Sequence, residues 1–138
     1  MTKNAKQTKP EPGFQDSFSE ESLNSKALAE TASQALLEKK GEDIKILDVR
    51  GLTTLADFFV ICHATTDVQI RALANGVIEK SKEDLDERAW QKEGMESRRW
   101  VILDYVNVVV HIFNKEQREF YGFEKMWNDA TVISVDDE

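Results

Sequence analysis

The chain has 138 residues, enough for one ordinary domain with its own core and too short for two. Hydrophobic residues make up 41% and charged residues 32%, with only two prolines, which excludes a collagen-like or wholly disordered chain. The formal net charge of -8 opposes long-range attraction to a phosphate backbone, so direct sequence-specific nucleic-acid binding is not expected, and it favours a basic protein partner.

The first residues, "MTKNAKQTKPEPGFQDSFSE", are polar and contain both prolines but no apolar stretch of the kind a secretory signal needs. Residues 1–19 are therefore expected to be a disordered tail. The domain proper is expected over 20–131. "SEES" supplies an N-cap with acid in the first turn, and Leu23, Ala27, Leu28, Ala32, Ala35 and Leu36 follow at helical spacing. "EKKG" closes that helix near residue 40, with lysines at its negative end and Gly41 as the stop.

"IKILDV" (Ile44 to Val49) alternates with a period of two and predicts a strand. "GLTTLA" connects it to "DFFVICHA" (Asp57 to Ala64), a second and more continuously buried strand. Cys62, the single cysteine, cannot close an internal disulfide, which points to a reducing compartment and a cytoplasmic protein. Thr65, Thr66 or Asp67 then caps a helix carrying Val68, Ile70, Leu73, Val77 and Ile78, weakened slightly by Gly76.

"DERAWQKEGMESRR" is charged and irregular, with Trp90 at the start of a short edge strand. Two strands follow, Trp100 to Tyr105 and Val108 to Phe113. Asn114 caps a last helix with Gln117 at capping-box spacing, and Phe120, Phe123 and Trp127 mark its apolar face. Residues 132–138 are expected to be an acidic, frayed tail. The fold class this order implies is α/β (α+β): a single domain with a mixed sheet of about five strands covered by helices. No run nears the roughly 18–20 apolar residues that span a bilayer, so no membrane association is expected.

"WVILDYVNVVVHIF" (Trp100 to Phe113) is the most apolar stretch, yet it holds Asp104 and His111. If Val106 and Asn107 form the turn, facing residues sum to 213 (105 plus 108), and alternation sorts the side chains. Val101, Leu103, Tyr105, Val108, Val110 and Ile112 share one face, the expected core face. Trp100, Ile102, Asp104, Val109, His111 and Phe113 share the other, with Asp104 and His111 diagonal to each other.

An Asp beside a His can orient a general base, but no nucleophile elbow accompanies this pair, so a structural histidine is the stronger reading and no catalytic residue is assigned. Cys62, His63 and His111 lack metal-ligand spacing, and the glycines form neither a dinucleotide fingerprint nor a P-loop, so no metal or cofactor is expected. Asp84 and Asp86 form a D-x-D that could hold magnesium for nucleotidyl transfer. Their charged neighbours Glu83, Glu87 and Arg88 favour a solvated helix end.

"LTTLADFFVICHATTDVQIRALA" and "EGMESRRWVILDYVNVVVHIFNKEQREFYGFEKMW" resemble the two signature regions of the ribosomal silencing factor family, also called Iojap-like. The tandem of W-x-x-x-D-Y, V-V-V-H-I-F and F-Y-x-F-E-x-x-W carries most of the likeness, which covers roughly residues 23–130. The resemblance implies a nucleotidyltransferase-like topology without the catalytic motif, and a repressor that makes no covalent change. It further implies binding to protein fourteen of the large ribosomal subunit, which blocks joining of the small subunit and slows translation under nutrient limitation or in stationary phase. A homodimer is also implied.

The partner-binding positions that the resemblance implies are Trp100, Leu103, Asp104 and Tyr105 of the hairpin, with Phe120, Tyr121, Glu124 and Trp127 of the last helix. For Leu103 and Tyr105 this conflicts with the core face that alternation assigns them. Two positions depart from the family pattern. Val106 stands where glycine is usual, and a β-branched residue is costly at positive φ, so a turn other than the tight primed type is expected. "CHATT" replaces a typical Gly-Asn-Ser before the second helix.

Overall fold

The computed structural model describes residues 20–136; the expected tail over residues 1–19 lies outside them. In chain order the elements are α1 (Glu20–Glu38), β1 (Glu42–Asp48), β2 (Phe58–Ala64), α2 (Asp67–Leu85) and β3 (Gln91–Glu93). They continue with β4 (Trp100–Asp104), β5 (Val108–Asn114), α3 (Lys115–Tyr121), α4 (Phe123–Met126) and β6 (Thr131–Val135). The six strands form one sheet in the order β3-β4-β5-β2-β1-β6, with β2 and β5 parallel and every other pair antiparallel.

Alternation along the strands makes two hydrophobic layers. Ile44, Ile46, Phe58, Val60, Cys62, Val101, Leu103, Val108, Val110 and Ile112 face α1 and α2, where Leu28, Leu36, Ile70, Leu73 and Val77 meet them. On the opposite face Leu47, Phe59, Ile61 and Phe113 pack with Phe123 of α4. Burying each such side chain stabilises the fold by about 1.5–3 kcal/mol relative to exposure, so the two layers fix the strand register. Cys62 is fully buried, and desolvation pushes its thiol up to about 12, which leaves it inert.

Helix ends follow local chemistry, with some shifts from expectation. Thr66 caps α2, its side chain accepting from the Gln69 amide at 3.1 Å. At the end of α1 the left-handed residue is Lys40 (φ 69°) rather than Gly41. The Lys40 and Gly41 amides donate back to Leu37 and Leu36 carbonyls at 3.0 and 2.8 Å, the Schellman pattern. Gly41 is needed for space instead: a Cβ there would meet Leu73 Cδ2 at 3.1 Å and the Leu36 carbonyl at 3.2 Å.

Two expectations at the C-terminal end are corrected. The last helix is not continuous, because Gly122 takes a left-handed conformation (φ 58°) and divides it into α3 and α4. Phe120, Phe123 and Trp127 therefore do not line one stripe: Phe123 is buried, Trp127 half-buried and Phe120 79% exposed. Residues 132–135 of the expected frayed tail, with Thr131, form β6 on the open side of β1, which gives six strands rather than five, while residues 137–138 lie outside the described residues.

Candidate functional site

The hairpin register is the one that alternation predicts: Trp100 faces Phe113, Val101 faces Ile112 and Asp104 faces Val109. The turn keeps two residues but is not a primed turn. The Asn107 amide donates to the Tyr105 carbonyl at 3.0 Å across Val106, whose φ is 77°, the pattern of the rarer γ-turn. Two contacts hold this strained residue: Asp104 Oδ1 accepts from the Val106 amide at 2.7 Å, and the Asn107 carbonyl accepts from the Asp57 amide at 2.7 Å. Val106→Gly should stabilise the protein by roughly 0.5–1 kcal/mol, the relief at positive φ exceeding the extra chain entropy of glycine. Urea midpoints measure it, and a lower midpoint for the variant would contradict the strain.

The helix-covered face of the hairpin is core. Leu103 is fully buried, and Tyr105 is buried with its hydroxyl 2.9 Å from Ser81 Oγ. The structure therefore removes both from the accessible part of the implied partner surface, because α2 lies over them.

The opposite face is only partly covered. Trp100, Ile102, Asp104 and Val109 are half-buried, with Trp100 at the end of the strand that meets α3. The Trp100 ring lies against Phe113 at 4.9 Å and Tyr121 at 4.8 Å between centroids, and its indole N–H donates to His111 Nδ1 at 3.0 Å. Tyr121 is 48% exposed and touches Phe120 at 5.3 Å, so aromatic surface runs from the sheet onto α3. Exposed aromatic rings of this kind are enriched among interface anchors.

His111 is not an acid-base partner of Asp104. Its Nδ1 is occupied by Trp100, and burial pushes its pKa down to about 3, so it is neutral with the proton on Nε2. Nε2 is buried without a hydrogen-bond partner, among the rings of Phe59, Phe113 and Phe123. The D-x-D carboxylates are likewise engaged locally. Asp84 pairs with Lys80 at 3.3 Å, and Asp86 is the left-handed cap of α2 with its side chain on Arg88 at 2.9 Å. Among the described residues no group of three or more His, Cys, Asp or Glu could hold a metal.

Sequence reasoning missed the ionic cluster that anchors α3 and α4 to the sheet. Arg118, buried on α3, forks onto Glu124 (Nε to Oε1 3.1 Å, Nη2 to Oε2 3.2 Å). Its Nη1 donates to the Asp43 carbonyl and to His63 Nδ1, both at 2.8 Å. Lys45 also reaches Glu124 at 3.2 Å, and Glu42 lies 3.3 Å from His63 Nε2. Burial alone would raise the Glu124 carboxyl, but Arg118 and Lys45 carry it below its ordinary value. Burial and the Arg118 charge lower His63, against Glu42 and Asp43. Glu124 is thus committed within the chain, and Trp127 is a half-buried ring 5.1 Å from Phe59. Of the eight implied positions, Phe120 and Tyr121 are exposed, Trp100, Asp104, Glu124 and Trp127 half-buried, and Leu103 and Tyr105 buried; ring contacts join Trp100, Tyr121 and Phe120.

The sequence and fold have known counterparts. A family model described as "Ribosomal silencing factor during starvation" matches residues 22–138. The chain belongs to the ribosomal silencing factor family. The ribosomal silencing factor of Bacillus subtilis is 38% identical over 117 residues, covering 83% of this chain and 96% of that protein. The chloroplastic Iojap protein of Zea mays is 33% identical over 112 residues, and this family member aligns with 47% of its length. A Chromobacterium violaceum crystal structure superposes with a TM-score of 0.72 at 35% identity, over 75% of this chain and 86% of that one. The family's mixed α/β single domain is what the six-stranded sheet realises here.

Proposed function

We propose that this silencing factor represses translation by binding the large ribosomal subunit through its protein fourteen and sterically blocking the small subunit, when nutrients are limiting or growth has stopped. No reaction is part of this role, and its place of action is the cytoplasm. The observation that carries the reading is the half-covered aromatic surface of Trp100, Tyr121 and Phe120, with Asp104 at the far end of the same face of β4, on a chain of net charge -8. A basic partner is steered by that charge, and buried rings with a paired carboxylate hold it. The names of the relatives, ribosomal silencing factors, agree with it.

Sedimentation with purified ribosomal subunits tests the role directly. Co-migration with the large subunit and a loss of joined ribosomes is expected; a protein left at the top of the gradient with joining undiminished sinks the proposal. Asp104→Arg should weaken binding by about 2–4 kcal/mol if the carboxylate meets a desolvated cation. Asp104→Asn separates charge from structure, because its amide oxygen still accepts from Val106. Unchanged affinity in both variants would take Asp104 out of the interface.

A further inference from the structure

The sheet has two edges, and only one is defended. At one edge β3 is three residues long and carries Lys92 and Glu93, the short, charged kind that resists pairing. At the other, β6 reads Thr-Val-Ile-Ser-Val with no charge and no proline. One side of it pairs with β1 from Ile44 to Asp48, and the other ends the sheet. Val132 and Ile133 are 49% and 47% exposed, so apolar side chains on both faces accompany the open backbone. β-branched residues hold this stretch extended, ready to accept another strand.

The flanking charges decide which strand fits. Exposed Asp129 precedes β6 and exposed Asp136 follows it. A second copy is disfavoured: the antiparallel register setting Val132 against Ile133 of the other copy opposes Asp129 to Asp136, and a parallel in-register pair opposes each to itself. Charges directly across a strand pair lie well inside a Debye length of about 8 Å, so salt does not remove that repulsion.

We propose that the β6 edge docks an extended segment of a basic partner protein as a seventh strand, with a lysine or arginine near each end meeting Asp129 and Asp136. Backbone hydrogen bonds supply the affinity and the two carboxylates the choice of partner. The edge is separated from the β4–β5 hairpin by β2 and β1, so the inference does not rest on the ribosome-binding surface.

The test uses the full chain and a synthetic peptide, Lys-Thr-Val-Thr-Val-Thr-Lys, with residue-resolved amide hydrogen exchange. At saturating peptide, the Thr131–Val135 amides directed away from β1 should exchange about tenfold more slowly, and a peptide with proline at its centre should have no effect. Asp129→Lys combined with Asp136→Lys should raise the peptide Kd about five- to tenfold. Three results overturn the proposal. One is no slowing at β6; another is slowing insensitive to the paired charge reversal. The third is protection of these amides without peptide that grows with protein concentration, which would assign the edge to a second copy.

Discussion

Arg118→Ala should lower the stability of the folded chain by about 3 kcal/mol, as much as many core truncations. The guanidinium satisfies the buried His63 Nδ1 and the part-buried Asp43 carbonyl, and truncation leaves both without their donor. Glu124 and Asp43 carboxylates are 36% and 51% exposed, so water can take over part of their solvation, which keeps the cost below that of a fully buried pair. Arg118→Lys should not restore the loss, because an ammonium cannot fork onto Glu124 while also reaching Asp43 and His63. Urea unfolding measures both variants. In the Arg118→Ala background, Glu124→Gln should cost at least 0.5 kcal/mol less than it does in the native chain; simple additivity would mean that the fork contributes nothing.

Acidification should destabilise the protein well above the range in which carboxylates titrate. His111 takes a proton near 6.5 when unfolded but only near pH 3 when folded. Above pH 6.5 it is neutral in both states and stability is at its full value; below that, the unfolded chain binds a proton that the native chain refuses. Each pH unit of that window favours unfolding by about 1.4 kcal/mol, so roughly 2–3 kcal/mol should be lost between pH 7 and pH 4.5. His63, whose pKa is also lowered, acts in the same direction. Asp48 and Glu124, with carboxyls held low, add their loss only further into acid. His111→Gln removes the titration while offering the Trp100 indole an amide oxygen. Its urea midpoints from pH 7 to 4.5 should fall less steeply than those of the native chain, and parallel curves would falsify the assignment to His111.

What could be read from the sequence was whatever depends on near neighbours. Hairpin register followed from a period of two around Val106 and Asn107, and the same alternation placed Leu103 and Tyr105 in the core, where they are. The family likeness had placed both at the partner surface, and local periodicity was the better guide to their burial. A cap among Thr65, Thr66 and Asp67 was likewise legible, because the donor it satisfies is three residues away; the structure selects Thr66. Arg118 was not: its partners His63 and Asp43 lie 55 and 75 residues distant, and nothing in "KEQREFY" separates it from an exposed arginine. The break at Gly122 was hidden by aromatic residues whose spacing suits an unbroken helix. β6 was missed because five small and β-branched residues before an acidic end reveal a strand only if β1 has a free side for them.

How soon the sheet can assemble as the chain leaves its own ribosome follows from the central strand pair. Phe58 pairs with Val108, a separation of 50 residues (108 minus 58), so β2 stays without its parallel neighbour until most of the domain has been synthesised. Until then α1, β1 and β2 can hold together only locally, with the apolar side of β2 exposed to chaperones and to other nascent chains. The open flank of β1 is closed later still, by residues that emerge after all the other strands. A ribosome stalled before codon 131 would therefore carry a five-stranded sheet whose edge is the charged strand β1, and the uncharged edge of the finished sheet would appear only with the last strand.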